Sequence, residues 1–327
     1  MKMFCKEVVM SEELLHSVSV ALGDCINLKR HENMLILCDP FCLRIGEAFY
    51  AVGREKCKEA VLVMITSRKL DGNEPPYPVA EWLAQFDVVV MPSLKSLIHT
   101  DACRLATERG TRVVSMSGVT EEMFVRTMKA DWRKTGACTR SVVAKLSSTQ
   151  TIRVTTKAGT DLSFGIEGRK IFVDDGRISF KGAFGNLPAG EAVLAPVEGT
   201  AQGRLVIDSS FSLCNGKPES PIVLDVKDGL VNRVGKHECS DELEKLFVKY
   251  LQPLRTLAEF GIGTLDTAQL SGNVFEEMKA RGTVHFALGN NMLLGGTVRV
   301  PVHLDGVTLK PDIWLDDRLW IKDGEQV

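Results

Sequence analysis

Short, mainly apolar runs punctuate the first half of the chain: MLILC at 34–38, VLVMI at 61–65, VVVM at 88–91 and RVVSM at 112–116. Continuous apolar runs of this length are the pattern of strands buried on both faces of a parallel sheet. The stretches between them read as helices. Residues 41–53 follow Pro40, residues 101–109 end at Gly110, and Thr120 is placed to cap EEMFVRTMKAD, whose first turn holds two glutamates. The expected architecture is a doubly wound α/β domain over residues 1–150.

From Thr151 the texture changes to short alternating segments, TIRVTT, DLSFGI and KIFVDDG, separated by glycine and aspartate turns. Alternation with turn residues predicts antiparallel strands. A helix is expected to follow, capped by Ser240, with Leu243, Leu246, Phe247 and Leu251 as its apolar stripe and Pro253 as its end. Residues 151–327 are therefore expected to form a second, α+β domain.

Near the C-terminus, TVRVPVHLDGV reads as a strand. Val298, Val300, Val302 and Leu304 fall on one face, and Thr297, Arg299, His303 and Asp305 on the other. An imidazole and a carboxylate two residues apart on a strand point to the same side and form a two-toothed metal clamp. In GTVHFALGNN, His285 shares a face with Thr283 and Ala287, small neighbours that leave it room. In TLAEFGIGT, Glu259 lies between Leu257 and Gly261, and a carboxylate buried there needs a partner. NLPAGEAVLAPVEGT adds Glu191 and Glu198, seven apart and so on opposite faces of a regular strand. Together these residues supply the mixed nitrogen and oxygen donors that Zn²⁺, Co²⁺, Mn²⁺ or Fe²⁺ accept.

Composition narrows the field. The net charge of −2 comes from charges mixed along 327 residues, which offers no basic stripe for nucleic acid. No apolar run approaches a membrane span, and MKMFCKEVVMSEELL lacks the apolar core of a secretory signal, so a cytoplasmic protein is expected. Nine cysteines without a CxxC pair suggest free thiols rather than a disulfide framework. The first strand-to-helix turn, CDPFCLRIGEAF, has no glycine fingerprint, and a Walker lysine loop is absent; an ordinary nucleotide site is disfavoured.

The ordered segments NLPAGEAVLAP, LAEFGIGT, GTVHFALG and HLD, together with SLIHTDACRLATERGTRVVSMSGVTEEMF, resemble the aminopeptidase T family of metallo-exopeptidases. That resemblance implies two divalent ions, Zn, Co or Mn, held by Glu191, Glu259, His285, His303 and Asp305, with Glu191 preferred over Glu198. Glu191 and Glu259 would serve catalysis, metal-activated water would hydrolyse an N-terminal peptide bond, and a homodimer is expected. The sequence departs from the family at Met292, which stands where the peptidases carry an oxyanion-stabilising tyrosine and would border the substrate. The segment between His285 and His303 is also short.

These departures open an alternative. His285, His303 and Asp305 alone form a two-histidine, one-carboxylate set of the kind used by non-haem Fe(II) oxygenases. A ring-cleaving dioxygenase family acting on 2,5-dihydroxypyridine resembles the aminopeptidase T fold, which implies such a mononuclear site, and the short loop GNNMLLGG suits a small aromatic substrate better than a peptide. His99, at the start of a helix in SLIHTDA, and Arg299, on the His303 face, are further candidates for substrate contact. Thr100 is the natural cap of that helix, and Asn290 and Asn291 are expected to serve mainly as turn residues.

Overall fold

The computed structural model of the protein describes residues 10–214 and 217–327. Its parallel sheet contains the four strands expected from the apolar runs, Asn33–Cys38, Glu59–Met64, Val88–Ser93 and Arg112–Ser117. In the sheet their order is second, first, third, fourth. A fifth parallel strand, Phe184–Asn186, pairs with Arg112–Ser117 although it lies beyond residue 150. Thr100 and Thr120 cap the helices Asp101–Glu108 and Glu121–Thr127, each accepting from an amide three residues on.

Two antiparallel sheets make up the rest, which agrees with the expected α/β plus antiparallel fold class. One has eight strands. The other has five, in the order His303–Leu309, Thr283–Gly289, Leu257–Gly263, Glu191–Leu194 and Phe172–Asp174. On one face of this smaller sheet Phe260, Phe286, Leu288 and Leu304 join a core shared with Phe164 of the larger sheet. Because side chains alternate, the candidate ligands take the opposite face.

Three local expectations are corrected. The segment 297–302 is not a strand, and regular pairing begins at His303. Pro301 has no amide to donate, and Asn291 Oδ1 accepts the Val298 amide at 2.8 Å in place of a ladder partner. The long helix runs Ser240–Arg255 with Cys239, not Ser240, at its N-cap, and is kinked at Leu251 (φ 57°, ψ −147°). That kink turns Leu251 out to 67% exposure, so it is no part of the apolar stripe. Finally, Cys214 and Cys239 form a disulfide, the chain return bringing their Cα atoms to 6.4 Å. Cys25, Cys38, Cys42, Cys57, Cys103 and Cys138 are free thiols, and Cys5 lies outside the described residues. No helix among the described residues is long and apolar enough to cross a membrane.

Candidate metal centre

Strand register brings the clamp and its partners together. Ala287 pairs with Asp305 on one side and Glu259 on the other, while His285 pairs with Gly261. Directly opposed residues share a face, so Glu259, His285, His303 and Asp305 converge across three adjacent strands. Glu191, which pairs with Gly263, joins them from the fourth. Gly261 is required for this convergence, because a Cβ there would overlap the His285 ring. Gly261→Ala is expected to push that imidazole aside and to lower metal affinity by about tenfold or more, as displaced ligand support does elsewhere. Isothermal titration with Mn²⁺ checks this, and unchanged affinity would contradict it.

The distances form a chain of contacts. His285 Nε2 lies 3.0 Å from Glu259 Oε1, and His303 Nε2 lies 3.2 Å from Glu259 Oε2 and 3.3 Å from Asp305 Oδ1. Donors at ~2.1 Å from one cation stand roughly 3 Å apart when adjacent around it. These spacings therefore fit neighbouring ligands of a single ion. All four side chains are buried, yet Glu259 Oε2, His303 Nε2 and Asp305 Oδ1 have no hydrogen-bond partner. Buried polar atoms left in that condition are costly unless an ion takes them, so the residues present fit a metal.

Electrostatics agree. Burial opposes charge on His303 and His285, but Asp305 and Glu259 outweigh it for His303, and Glu259 and Glu191 for His285, raising both pKa values. Burial likewise pushes Glu259 up, and the two histidines overcome it and hold its carboxyl well below the usual range. The pocket's carboxylates thus draw positive charge to this point, and a divalent cation meets that demand with the imidazoles neutral.

Neighbouring groups hold the ligands in place. His303 Nδ1 contacts the Asn290 carbonyl at 2.8 Å; as the donor there it leaves the Nε2 lone pair for a metal. Ser212 clamps Asp305 from both sides: its Oγ accepts the Asp305 amide at 3.0 Å and its own amide donates to the Asp305 carbonyl at 2.9 Å. The Ser212 loop is in turn anchored by buried Glu277, which accepts from both hydroxyls of Ser209 and Ser210 at 2.6 Å.

Glu191 is different. Its Oε1 accepts from Lys279 Nζ at 2.7 Å and from Asn186 Nδ2 at 3.2 Å, and Lys279 is only 1% exposed. Burial disfavours the ammonium, but Glu191 and Asp174 outweigh it and raise its pKa. The ammonium therefore meets one oxygen of Glu191, while the other, Oε2, is buried 3.7 Å from His285 Nε2 without a hydrogen-bond partner. Asp174 accepts from the Asn186 amide and side chain; burial, and next the Glu191 charge, push its pKa up to about 8. A carboxyl raised in the fold stabilises it below its unfolded pKa and loses that contribution as pH rises toward 8. Asp174→Asn is expected to flatten the loss of stability between about pH 4 and pH 8. Urea unfolding at the two ends of that range measures it, and parallel pH dependence in both proteins would refute it.

His99 stacks on His303, ring centroids 3.8 Å apart and planes 7° from parallel. Burial, then the neighbouring His303, push its pKa down to about 4, so it is a neutral base near pH 7. Asn290 Nδ2 donates to the His99 carbonyl at 3.2 Å. His99 and Glu259 border a cavity of about 60 Å³ whose walls include Phe172, Phe184, Val193 and Leu294, with Asp174 and Asn186 also lining it.

Other expected residues lie elsewhere. Glu198 is not at the centre. It binds Arg169, Asn291 Nδ2 at 2.9 Å and the Thr297 amide at 2.8 Å, fastening the loop that leads to His303. Burial pushes its carboxyl up, but the Thr297 amide and Asn291 prevail and hold it down to about 2. Arg299 is 64% exposed and pairs with Asp101, away from the ligands. Met292 opens a short 3-10 turn, and Leu293 and Leu294, which follow it, line the cavity instead. Lys279, Asp174, Asn186, Ser212 and Asn290 escape the sequence patterns that locate the ligands, because each looks like a surface or turn residue in isolation.

Residues 44–327 match the family described as NicX: 2,5-dihydroxypyridine 5,6-dioxygenase. A curated 2,5-dihydroxypyridine 5,6-dioxygenase of Pseudomonas putida KT2440 is 25% identical over 248 residues, covering 71% of this chain and 69% of that protein. The solved structure of a 2,5-dihydroxypyridine dioxygenase from the same organism has a TM-score of 0.81, with 19% identity over 98% of each chain. Wild-type AmpT from Thermus thermophilus has a TM-score of 0.66 and 16% identity, over 96% of this chain and 99% of that one. These two structural likenesses show the fold. The family match overturns the aminopeptidase reading, and with it the assignment as a hydrolase or protease.

Proposed function

This chain belongs to the 2,5-dihydroxypyridine 5,6-dioxygenase family, and we propose that it is a metal-dependent enzyme that opens a small dihydroxylated nitrogen heteroaromatic ring with O₂ at one Fe(II) centre. The observation that carries this reading is the Lys279–Glu191 pair at 2.7 Å beside three unpartnered donors on Glu259, His303 and Asp305. Those residues would hold the metal, with His285, grouped with His303 and Asp305 from the sequence, beside Glu259 at 3.0 Å. When bound, the metal supplies one-electron and O₂ chemistry that no side chain provides.

The chain's own residues bind and orient the ring. Phe172 and Phe184, with ring centroids 5.4 Å apart, and Leu294 give the cavity apolar walls suited to a flat aromatic molecule. His99, neutral and facing the cavity, offers a ring nitrogen as hydrogen-bond acceptor to a ring hydroxyl. Asp174 and Asn186 at the cavity wall offer hydrogen bonds to a ring nitrogen or a second hydroxyl.

Oxygen uptake by the anaerobically Fe(II)-loaded protein tests the proposal directly. The expected result is consumption of one O₂ per 2,5-dihydroxypyridine lost, with no amino acid released from dipeptides. Dipeptide hydrolysis without dihydroxypyridine turnover would reject it.

A further inference from the structure

Away from the buried centre, Cys214 and Cys239 sit with His237 and Glu238 in one cluster, a ligand atom from each lying within 4.8 Å of every other. We propose that in the reduced chain these four residues form a second metal centre, a two-thiolate, one-imidazole, one-carboxylate site for zinc or a similar borderline-soft divalent cation. Its donor set differs in kind from the oxygen-rich buried centre. Thiolate and imidazole together favour zinc over hard cations such as Mg²⁺ or Ca²⁺.

Local structure already prepares the site. Three of the four donors come from one turn, His237 to Cys239, directly ahead of the helix Ser240–Arg255. Ser240 Oγ fixes that turn by accepting the His237 amide at 2.8 Å. His237 Nδ1 accepts the Cys239 amide at 3.1 Å and Nε2 is buried without a hydrogen-bond partner; on reduction, binding a cation exchanges the amide contact for a bond to the metal. The fourth donor, Cys214, ends the loop that Glu277 and Ser212 hold against Asp305. Glu238 is exposed and leaves the cluster open to solvent for metal entry.

The disulfide and the metal site are alternative states of one cysteine pair. A dithiol reductant supplies two electrons and two protons to Cys214–Cys239 and is itself converted to a disulfide. The cation then displaces the two thiol protons to solvent as the thiolates bind it. Metal bound there joins the Ser209–Cys214 loop to the start of the helix, as the disulfide does in the oxidised chain.

Zinc binding to the full chain carrying Asp305→Ala, which disables the buried centre, tests the proposal. After reduction with a dithiol and anaerobic desalting, one zinc per chain is expected, and none when Cys214→Ser and Cys239→Ser are added. Co²⁺ in place of zinc should give a thiolate-to-cobalt charge-transfer absorption that the same two substitutions abolish. His237→Ala keeps both thiols and is expected to weaken zinc binding at least about tenfold, by analogy with the loss of metal-site groups elsewhere. Equal zinc uptake with and without the two cysteines would overturn the site. So would two newly titratable thiols with no zinc bound.

Discussion

Replacing Asp305 by alanine is expected to abolish metal binding at the buried centre and to lower turnover by about 10³-fold or more, since a catalytic metal contributes several kcal/mol to transition-state stabilisation. Asp305 Oδ1 is 3.3 Å from His303 Nε2 and has no hydrogen-bond partner. Removing it deletes one of three donors while leaving the backbone clamp from Ser212 intact, because that clamp uses the Asp305 amide and carbonyl. The fold should therefore survive. The check is metal content together with circular dichroism, and an Asp305→Ala chain that keeps its metal would remove Asp305 from the ligand set.

The second large effect concerns stability. Lys279→Met is expected to destabilise the protein by about 3–5 kcal/mol, the range for removing one partner of a buried ion pair. Lys279 is 1% exposed and lies against Glu191 at 2.7 Å, with Asp174 contributing to the same field. Methionine fills much of the volume but leaves these carboxylates without a counter-charge. Against a typical total of about 5–15 kcal/mol, that loss leaves little margin at neutral pH. The deficit should shrink on acidification, because protonated carboxyls need no cation. Urea unfolding at pH 5 and pH 8 measures both the size and the pH trend. A loss below 1 kcal/mol at pH 8 would show that the ammonium is not the counter-charge of this pocket.

Much of this centre is legible in the sequence because strand periodicity is a local property. The two-residue spacing of His303 and Asp305 and the glycine-flanked positions of Glu259 and His285 place four side chains on one sheet face, where the structure has them. The apolar runs likewise mark the first four parallel strands. What the sequence does not disclose is who meets whom across elements. Lys279 stands in FEEMKARG, a charged stretch that reads as a solvated helix surface, yet tertiary packing buries Glu276, Glu277 and Lys279 almost completely. The valine alternation at 298–302 looks like strand, but Asn291 and Pro301 give that backbone other bonds and other limits. Glu198 likewise reads as a ligand rival of Glu191, and its role as a loop fastener depends on Arg169 and Thr297, both remote in sequence.

Lys279 also separates two chemistries on one fold. In a two-metal site, cations bridged by carboxylates activate water between them. Under the proposed reading the ammonium on Glu191 Oε1 offsets that carboxylate's charge, and one metal would be held at Glu259, His303 and Asp305. His99, held neutral against His303, borders the cavity beside Glu259.

The most direct test of this account is the metal stoichiometry of the disulfide-intact chain, titrated anaerobically with Fe(II) and read by native mass spectrometry. The account predicts saturation at one iron per chain, with Glu191→Gln leaving that number unchanged. Saturation at two irons, falling to one in Glu191→Gln, would contradict it.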